Sequence, residues 1–331
     1  MNLPIPYQMK KTAYGIFLLL ILLLIYNLSE LFNFKSNITY LIFRNSDEPL
    51  YVRFEGKKIP LQDIKSEVLQ QAQKSIHSSE GVEVKQITIE RKPENILQTV
   101  CNVLNPSILY VVEFSPNLFR FFTAYEPDFA PSTAAKIAQK QQLNFCINAN
   151  FYSLDYKPIG WIVSQGEELN PERNDWTGYF FVKNNQPYFG SVALLQEVKG
   201  KVTEAAQCYP SIIKNYQIFD YLKLKDNRFF SAGKLSYRSL AGMKKNGNII
   251  FVVSGNGAIL NIKEMTLFAR CLDIKHATLF DGGRALQYYL SVPNFELSFH
   301  AFSGSFGLSK LSRTLRPARS PIFIGATKKQ K

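Results

Sequence analysis

Residues 276–283 read HATLFDGG, an apolar run that stops on an aspartate and two glycines. This pattern predicts a buried strand that delivers Asp281 to its carboxyl end, where Gly282 and Gly283 let the backbone take positive φ or approach a ligand closely. Asp-Gly is also the commonest hairpin dipeptide, so the same residues describe a plain turn. A second strand end has the same grammar. LNFCIN (143–148) ends on Asn148, and Ala149, Asn150, Phe151 and Tyr152 follow. Strand ends that stop in polar groups line a cleft or begin a tight turn. The carboxamides of Asn148 and Asn150 suit either a ligand or the local backbone.

Outward from these two ends, the pattern continues as short strands. KLSYRSLAG (234–242) leads into NGNIIFVVSGNG (246–257), a turn and a strand with a polar exit at Ser254. Arg238 enters this apolar run just before a strand, placed either to clamp a phosphate bidentately or to sit solvated at the surface; Arg284, directly after the glycines, has the same two readings. A helix is expected from about Lys263 to Asp273, with Met265, Phe268, Ala269 and Leu272 inward. Hairpins are expected around Gln165-Gly166 and Lys183-Asn184-Asn185-Gln186, and between ILYVVEF (108–114) and LFRFFTAY (118–125) through a Ser-Pro-Asn turn. Ser132 is expected to open a helix. Toward the amino terminus, TYLIF (39–43) and PLYVRF (49–54) read as strands, and Val82, Val84, Ile87 and Ile89 as another. Leu61, Ile64, Val68, Ala72 and Ile76 fall on one helical face, with Asp63 as its N-cap.

The chain has 331 residues, 46% hydrophobic and 20% charged, which excludes a disordered, collagen-like or small disulfide-stapled protein. Its net charge of +13 attracts polyanions. Cys101, Cys146, Cys208 and Cys271 lack zinc-finger spacing, His77, His276 and His300 form no paired-ligand motif, and neither a Walker loop, GxGxxG nor GxSxG occurs. No cofactor is expected and no metal-site motif is identified; a divalent ion is left open, since asparagine and aspartate oxygens suit Ca²⁺ but show no loop spacing for it. From Ala13 to Tyr26 the run AYGIFLLLILLLIY follows Lys10 and Lys11. With Leu28, Leu31 and Phe32 it is long enough for a membrane-spanning helix, and no small-residue cleavage site follows it. The expectation is a cytoplasmic amino terminus (1–12), a signal anchor (13–33), an extension (34–94), a main domain (95–326) and a basic tail (327–331). The lysine pair places the body outside the cytoplasm, periplasmic or extracellular, which makes nucleic acid an improbable partner. The fold class is α+β, one large domain with mixed, largely antiparallel sheets and packed helices.

The order of motifs resembles the phosphodiester glycosidase family, in particular its bacterial branch linked to exopolysaccharide biosynthesis, over roughly residues 105–326. The segments that carry the resemblance are INANFYSLDYKPIG, TGYFFVKNNQPYFG, QCYPSIIKN, RSLAGMKKNGNIIFVVS, MTLFARCLDIKHATLFDGG and RPARSPIFIGA. The family's Asn-Gly-Gly is replaced by Asn148-Ala149-Asn150, the glycine before Pro210 by Tyr209, and the small residue after Asp-Gly-Gly by Arg284.

The resemblance implies hydrolysis of a sugar-1-phosphodiester, N-acetylglucosamine-α-1-phosphoglycans among the candidates. Asp281 would be the carboxylate, as base or nucleophile, Arg238 the phosphate clamp, and Asn148 with Gly282 and Gly283 the groups that orient sugar or phosphate. Asn150, Gly160, Ser254 and Arg284 complete the expected substrate-binding set. Asp155, Glu167, Glu168 and Asp175 are equal candidates for a second carboxylate. The alternative on the same fold is a non-catalytic binder of phosphorylated or anionic glycans, since Ala149, Asn150, Tyr209 and Arg284 put side chains where the family keeps bare backbone or a small residue.

Overall fold

The central strand of the molecule is IIFVVS, β16 (Ile249–Ser254), every residue of which is buried. Its side chains alternate between two cores, as the two-residue period of a strand requires. Ile249, Phe251 and Val253 face one, Ile250 and Val252 the other. The computed structural model describes residues 34–219, 233–301 and 318–330, with side chains from residue 39 onward. The anchor expected over residues 13–33 lies outside the described residues, among which no helix is long and apolar enough to cross a membrane.

Strands are numbered in chain order. On one side β16 pairs with β5 (Ser107–Phe114), then β4 (Val82–Arg91), β1 (Leu50–Phe54) and β2 (Lys57–Pro60), with β3 (Lys74–Ser79) folded onto β4. On the other side come β15 (Ser239–Lys244), β17 (Ile274–Leu279), β13 (Ser211–Lys214) and β14 (Gln217–Ile218). The amino-terminal extension is therefore woven into the largest sheet, with Val82 opposite Phe114 and Ile89 opposite Ser107. A second sheet runs β11 (Gln186–Ser191), β10 (Gly178–Lys183), β12 (Val202–Cys208), β8 (Ile162–Ser164), β9 (Glu167–Asn170). The third runs β19 (Phe295–His300), β18 (Gln287–Val292), β7 (Phe145–Asn148), β20 (Ile322–Lys328), β6 (Phe119–Tyr125). Every strand pair among the described residues is antiparallel, more uniform than the mixed sheet expected.

The three sheets meet on one aromatic core. Phe251 packs on Phe145 of the third sheet (ring centroids 4.7 Å apart), on Phe189 of the second (5.4 Å) and on Phe121 of the third (6.2 Å). On the opposite face of the large sheet, the aliphatic core lies under α2 (Ser66–Gln71) and α6 (Ile262–Cys271), where Met265, Phe268, Ala269 and Leu272 are buried as expected. Helix α6 starts on a full capping box between Asn261 and Glu264. Helix α4 (Ala134–Gln141) covers the third sheet, and α5 (Val192–Glu197) follows β11.

Four expectations are corrected. TYLIF belongs to helix α1 (Phe34–Phe43), where Thr39 and Phe43, four residues apart, are both buried. Leu61–Asp63 is a single 3₁₀ turn, and the extended Ile64 splits the expected helical face, so that Ile76 lies in β3. Thr133, not Ser132, caps α4 by accepting the Lys136 N–H. The Ser-Pro-Asn turn does not close a hairpin: Ser115 O accepts the Leu118 and Phe119 N–H groups at a corner, and the chain leaves β5 in one sheet for β6 in another. Phe114 packs edge-on against both Phe119 and Phe121, so the turn brings aromatic faces together across the core rather than pairing backbones. The hairpins at Gln165-Gly166 and Asn184-Asn185 do form, with all four residues at positive φ as tight two-residue turns require.

Because Phe251 is shared by all three sheets, truncating it to alanine should destabilise the fold by roughly 3–5 kcal/mol. Denaturant unfolding of Phe251→Ala against Ile250→Val, a mild change on the other core, checks this; equal losses would deny Phe251 its central place.

Candidate functional site

The strand β17 runs out of the large sheet at Leu279, and the segment Asp281-Gly282-Gly283 carries the chain across to β18 of the third sheet. It is a crossing between sheets and not a hairpin. Two neighbours pin it. From the end of β7, the Asn148 carboxamide donates to Asp281 O (2.7 Å) and accepts from Gln287 N (2.9 Å), while Asp281 N donates to Ala149 O (3.0 Å). From the other side, Gly283 N donates to Tyr237 O (2.7 Å). A Cβ on Gly282 would lie 2.5 Å from that same Tyr237 oxygen, and Gly283 sits at φ +61°, so the close approach and the positive φ each call for glycine. Asn148 is fully buried and spends its amide on the backbone; it shapes the site through Asp281.

Asp281 lines a cavity of about 370 Å³ with Tyr152, Tyr156, Gly282, Arg284, Ala285, Ala318 and Arg319. The surrounding protein pushes its carboxyl well above the ordinary carboxylate range, and the charge of Arg238 pulls only part of the way back. The same closeness acts in reverse on Tyr152, whose phenol is raised by burial first and then by the negative charge of Asp281. Tyr152 and Tyr156 stack at 5.5 Å on the loop after Phe151, which Ser153 closes by accepting the Lys157 N–H.

Arg238 is half-buried and anchored. Its Nε donates to Leu260 O (3.1 Å) and its Nη2 to Lys234 O (2.8 Å). Ser254 holds the backbone beneath it, the hydroxyl accepting Arg238 N–H (2.8 Å) and Ser254 N donating to Arg238 O (2.9 Å). Ser254 is wholly buried, so it positions Arg238 rather than meeting a ligand. Arg284 is exposed and lies between the Asp281 cavity and a second one of about 560 Å³, lined by Tyr40, Arg44, Asp47 and Lys234 among others.

Asn150 and Gly160 stand behind the cavity wall. Asn150 is buried, with Nδ2 3.5 Å from Ile159 O and Oδ1 lacking a partner among the described residues. Gly160, at φ +93°, turns the chain past Trp176, whose ring would lie 2.9 Å from an added Cβ. None of the candidate second carboxylates lines the Asp281 cavity. Asp155 pairs with Lys157, Glu168 accepts the Trp161 indole N–H, Asp175 pairs with Arg173, and Glu167 is exposed on β9. Sequence reasoning missed Tyr152, Tyr156 and Arg319 as lining residues. The first two follow Asn150 within six residues, and Arg319 lies in the quoted RPARSP segment, but only the loop closure and the chain crossing bring them to Asp281. The four cysteines are buried and unbridged, and among the described residues no group of three or more potential ligands could hold a metal ion.

The cavity thus brings together one carboxyl with a raised proton affinity, two guanidinium groups and two stacked rings. The phosphodiester glycosidase profile matches residues 141–318, more than half of the chain, and the protein belongs to that family. The fold is similar to that of zebrafish N-acetylglucosamine-1-phosphodiester alpha-N-acetylglucosaminidase in its catalytic domain, at 13% identity and TM-score 0.55, covering 78% of this chain and 87% of that one. It is also similar to a hypothetical protein from Synechocystis, at 14% identity and TM-score 0.52, covering 78% of this chain and 64% of that one, under two thirds of its length. Comparison with curated proteins gives no sequence match.

Two outcomes follow from this geometry. Asn148→Ala leaves Asp281 O and Gln287 N unpaired, a loss of roughly 2–6 kcal/mol at about 1–3 for each group. Asn148→Asp keeps the acceptor but loses the donor, so urea unfolding should show it no better than alanine; recovery by aspartate would refute the bridge to Asp281 O. For Asp281 itself, the native state holds its proton to higher pH than the unfolded chain. Stability from this group is full below the unfolded carboxylate value of about 4 and falls as pH rises through the native value. Asp281→Asn should flatten that decline and raise Tm near neutral pH, as scanning calorimetry across pH 4–8 would show.

Proposed function

We propose that the protein hydrolyses a sugar-1-phosphodiester in envelope or exopolysaccharide metabolism, working outside the cytoplasm behind an amino-terminal membrane anchor. The observation that carries the catalytic reading is Asp281, the only carboxylate lining the cavity among the described residues, facing a rim with Arg284 and Arg319 and electrostatically coupled to Arg238. In this chemistry the bond from the anomeric carbon to the bridging oxygen breaks, its electron pair stays on that oxygen, and a phosphomonoester leaves. Such a leaving group is a stable anion and needs little general-acid help; what it needs is cationic stabilisation as charge develops. Asp281 takes the proton from the attacking water. Its raised proton affinity makes it a stronger base than an ordinary carboxylate. Tyr152 and Tyr156 offer a stacked face for the sugar.

The alternative of a non-catalytic binder rested on side chains that replace family glycines. Ala149 packs into the aromatic core and Asn150 is fully buried, so neither enters the cavity. Tyr209 is buried as well, so of the four positions Arg284 alone lines the cavity, and a cation there suits an anionic substrate. These placements favour the enzyme. The anchored, extracytoplasmic setting draws on the apolar run after Lys10 and Lys11.

The test is hydrolysis of a panel of sugar-1-phosphodiesters, α-linked N-acetylglucosamine included, by the detergent-solubilised chain. Turnover by the wild type and its loss by at least about 10²-fold in Asp281→Asn is the expected result, the scale on which removing a general base acts. Phosphoglycan binding without turnover would establish the binder instead.

A further inference from the structure

Helix α3 (Ile96–Leu104, ILQTVCNVL) has its polarity reversed relative to an ordinary surface helix. Its inward side is polar. Gln98 Nε2 donates to Ile42 O (3.3 Å), Asn102 Nδ2 donates to Arg91 O (2.9 Å), and Cys101 Sγ lies 3.3 Å from Thr39 Oγ1. Its outward side carries Ile96, Leu97, Val100, Val103 and Leu104, all exposed, Ile96 at 79% and Val103 at 73%. These positions are spaced one, four, seven and eight residues from the first, which puts them on one stripe. The helix contains no charged residue. Folding has turned the hydrogen-bonding groups inward and left the aliphatic groups outside, which is favourable only if the outside is apolar.

We propose that α3 lies in the interface of a lipid bilayer, with these five side chains in the acyl region. Helix α3 packs on α1 (Phe34–Phe43) through Gln98 and Cys101, and α1 begins eight residues after the end of the apolar run Ala13–Tyr26. In this the inference rests on the anchor reading: a chain leaving the membrane at residue 33 brings α1, and α3 beside it, to the lipid surface first. A second copy of the chain fits less well. A helix about 14 Å long cannot by itself supply the roughly 800 Å² per partner that a specific protein–protein interface needs, whereas an interfacial helix is marked by its apolar face and not by its length. The net charge of +13 adds electrostatic attraction wherever the facing lipids are anionic. Tyr40 and Arg44, on and just after α1, line the larger cavity, so docking α3 would fix the height of that cavity above the lipid.

The test uses the full chain reconstituted in phosphatidylcholine–phosphatidylglycerol vesicles doped with a phosphatidylcholine that carries a diazirine on its acyl chain. After irradiation, peptide mass spectrometry maps the adducts. Adducts on 96–104 are expected, together with adducts on 13–26, and Val103→Glu should lose most of those on 96–104 while keeping those on 13–26 and the native circular dichroism. Adducts on 13–26 with none on 96–104 would overturn the docking of α3 and leave the anchor standing; α3-to-α3 cross-links in its place would assign the face to a second copy. Adducts on 96–104 without any on 13–26 would support α3 and remove the anchor. Absence of both would overturn both.

Discussion

The packing of Phe251 against Phe145, Phe189 and Phe121 is the contact on which the rest of the molecule depends, because it is where three sheets share one interior. Aromatic rings at edge-on, tilted and stacked angles fill such a junction with few side chains and hold the sheets at set distances. The consequence for function is positional. β16 carries Phe251 inward and ends three residues later on Ser254, which grips Arg238. β7 carries Phe145 into the same cluster and also ends three residues later, on Asn148, which grips Asp281. The cleft is thus assembled from strand ends whose register is set by the aromatic core.

Much of this was legible in the sequence. The two strand ends, Asn148 and Asp281, the helix before HATLF and the two-residue hairpins all have local signatures: a run of apolar residues, a polar stop, a helical face or an Asn-Asn turn. What was not legible is non-local. Whether Ser-Pro-Asn closes a hairpin or turns a corner between sheets depends on where Phe114, Phe119 and Phe121 find partners, and those partners are far away in sequence. TYLIF has the composition of a strand, yet its burial follows a four-residue period that only its tertiary neighbours select. The roles of the site residues divide in the same way. The sequence marks Asn148, Ser254 and Gly160 as polar or glycine residues near strand ends, but only the fold shows that they act on the backbone and on Arg238, whereas Tyr152, Tyr156 and Arg319 reach the cavity.

On the proposed function, the carboxyl of Asp281 is a compromise between folding and chemistry. Burial raises the proton affinity of the carboxyl, and a fold selected only for stability would place an asparagine or an apolar group there. Arg238 offsets part of the desolvation, and Arg238 is itself held by carbonyl groups of Leu260 and Lys234 and by Ser254, so its charge stays where Asp281 needs it.

The rim arginines then have a purpose that goes beyond capture. On the proposed chemistry, a phosphodiester anion enters beside a carboxylate whose proton affinity is already raised, and a further negative charge raises it more. Without compensation, binding the substrate would protonate the base that must attack it. Arg284 and Arg319 lie on the wall of the same cavity, where their charge opposes that further rise. On this argument the cation at Arg284, where the family has a small residue after Asp-Gly-Gly, suits a base whose carboxyl already holds its proton more tightly than usual.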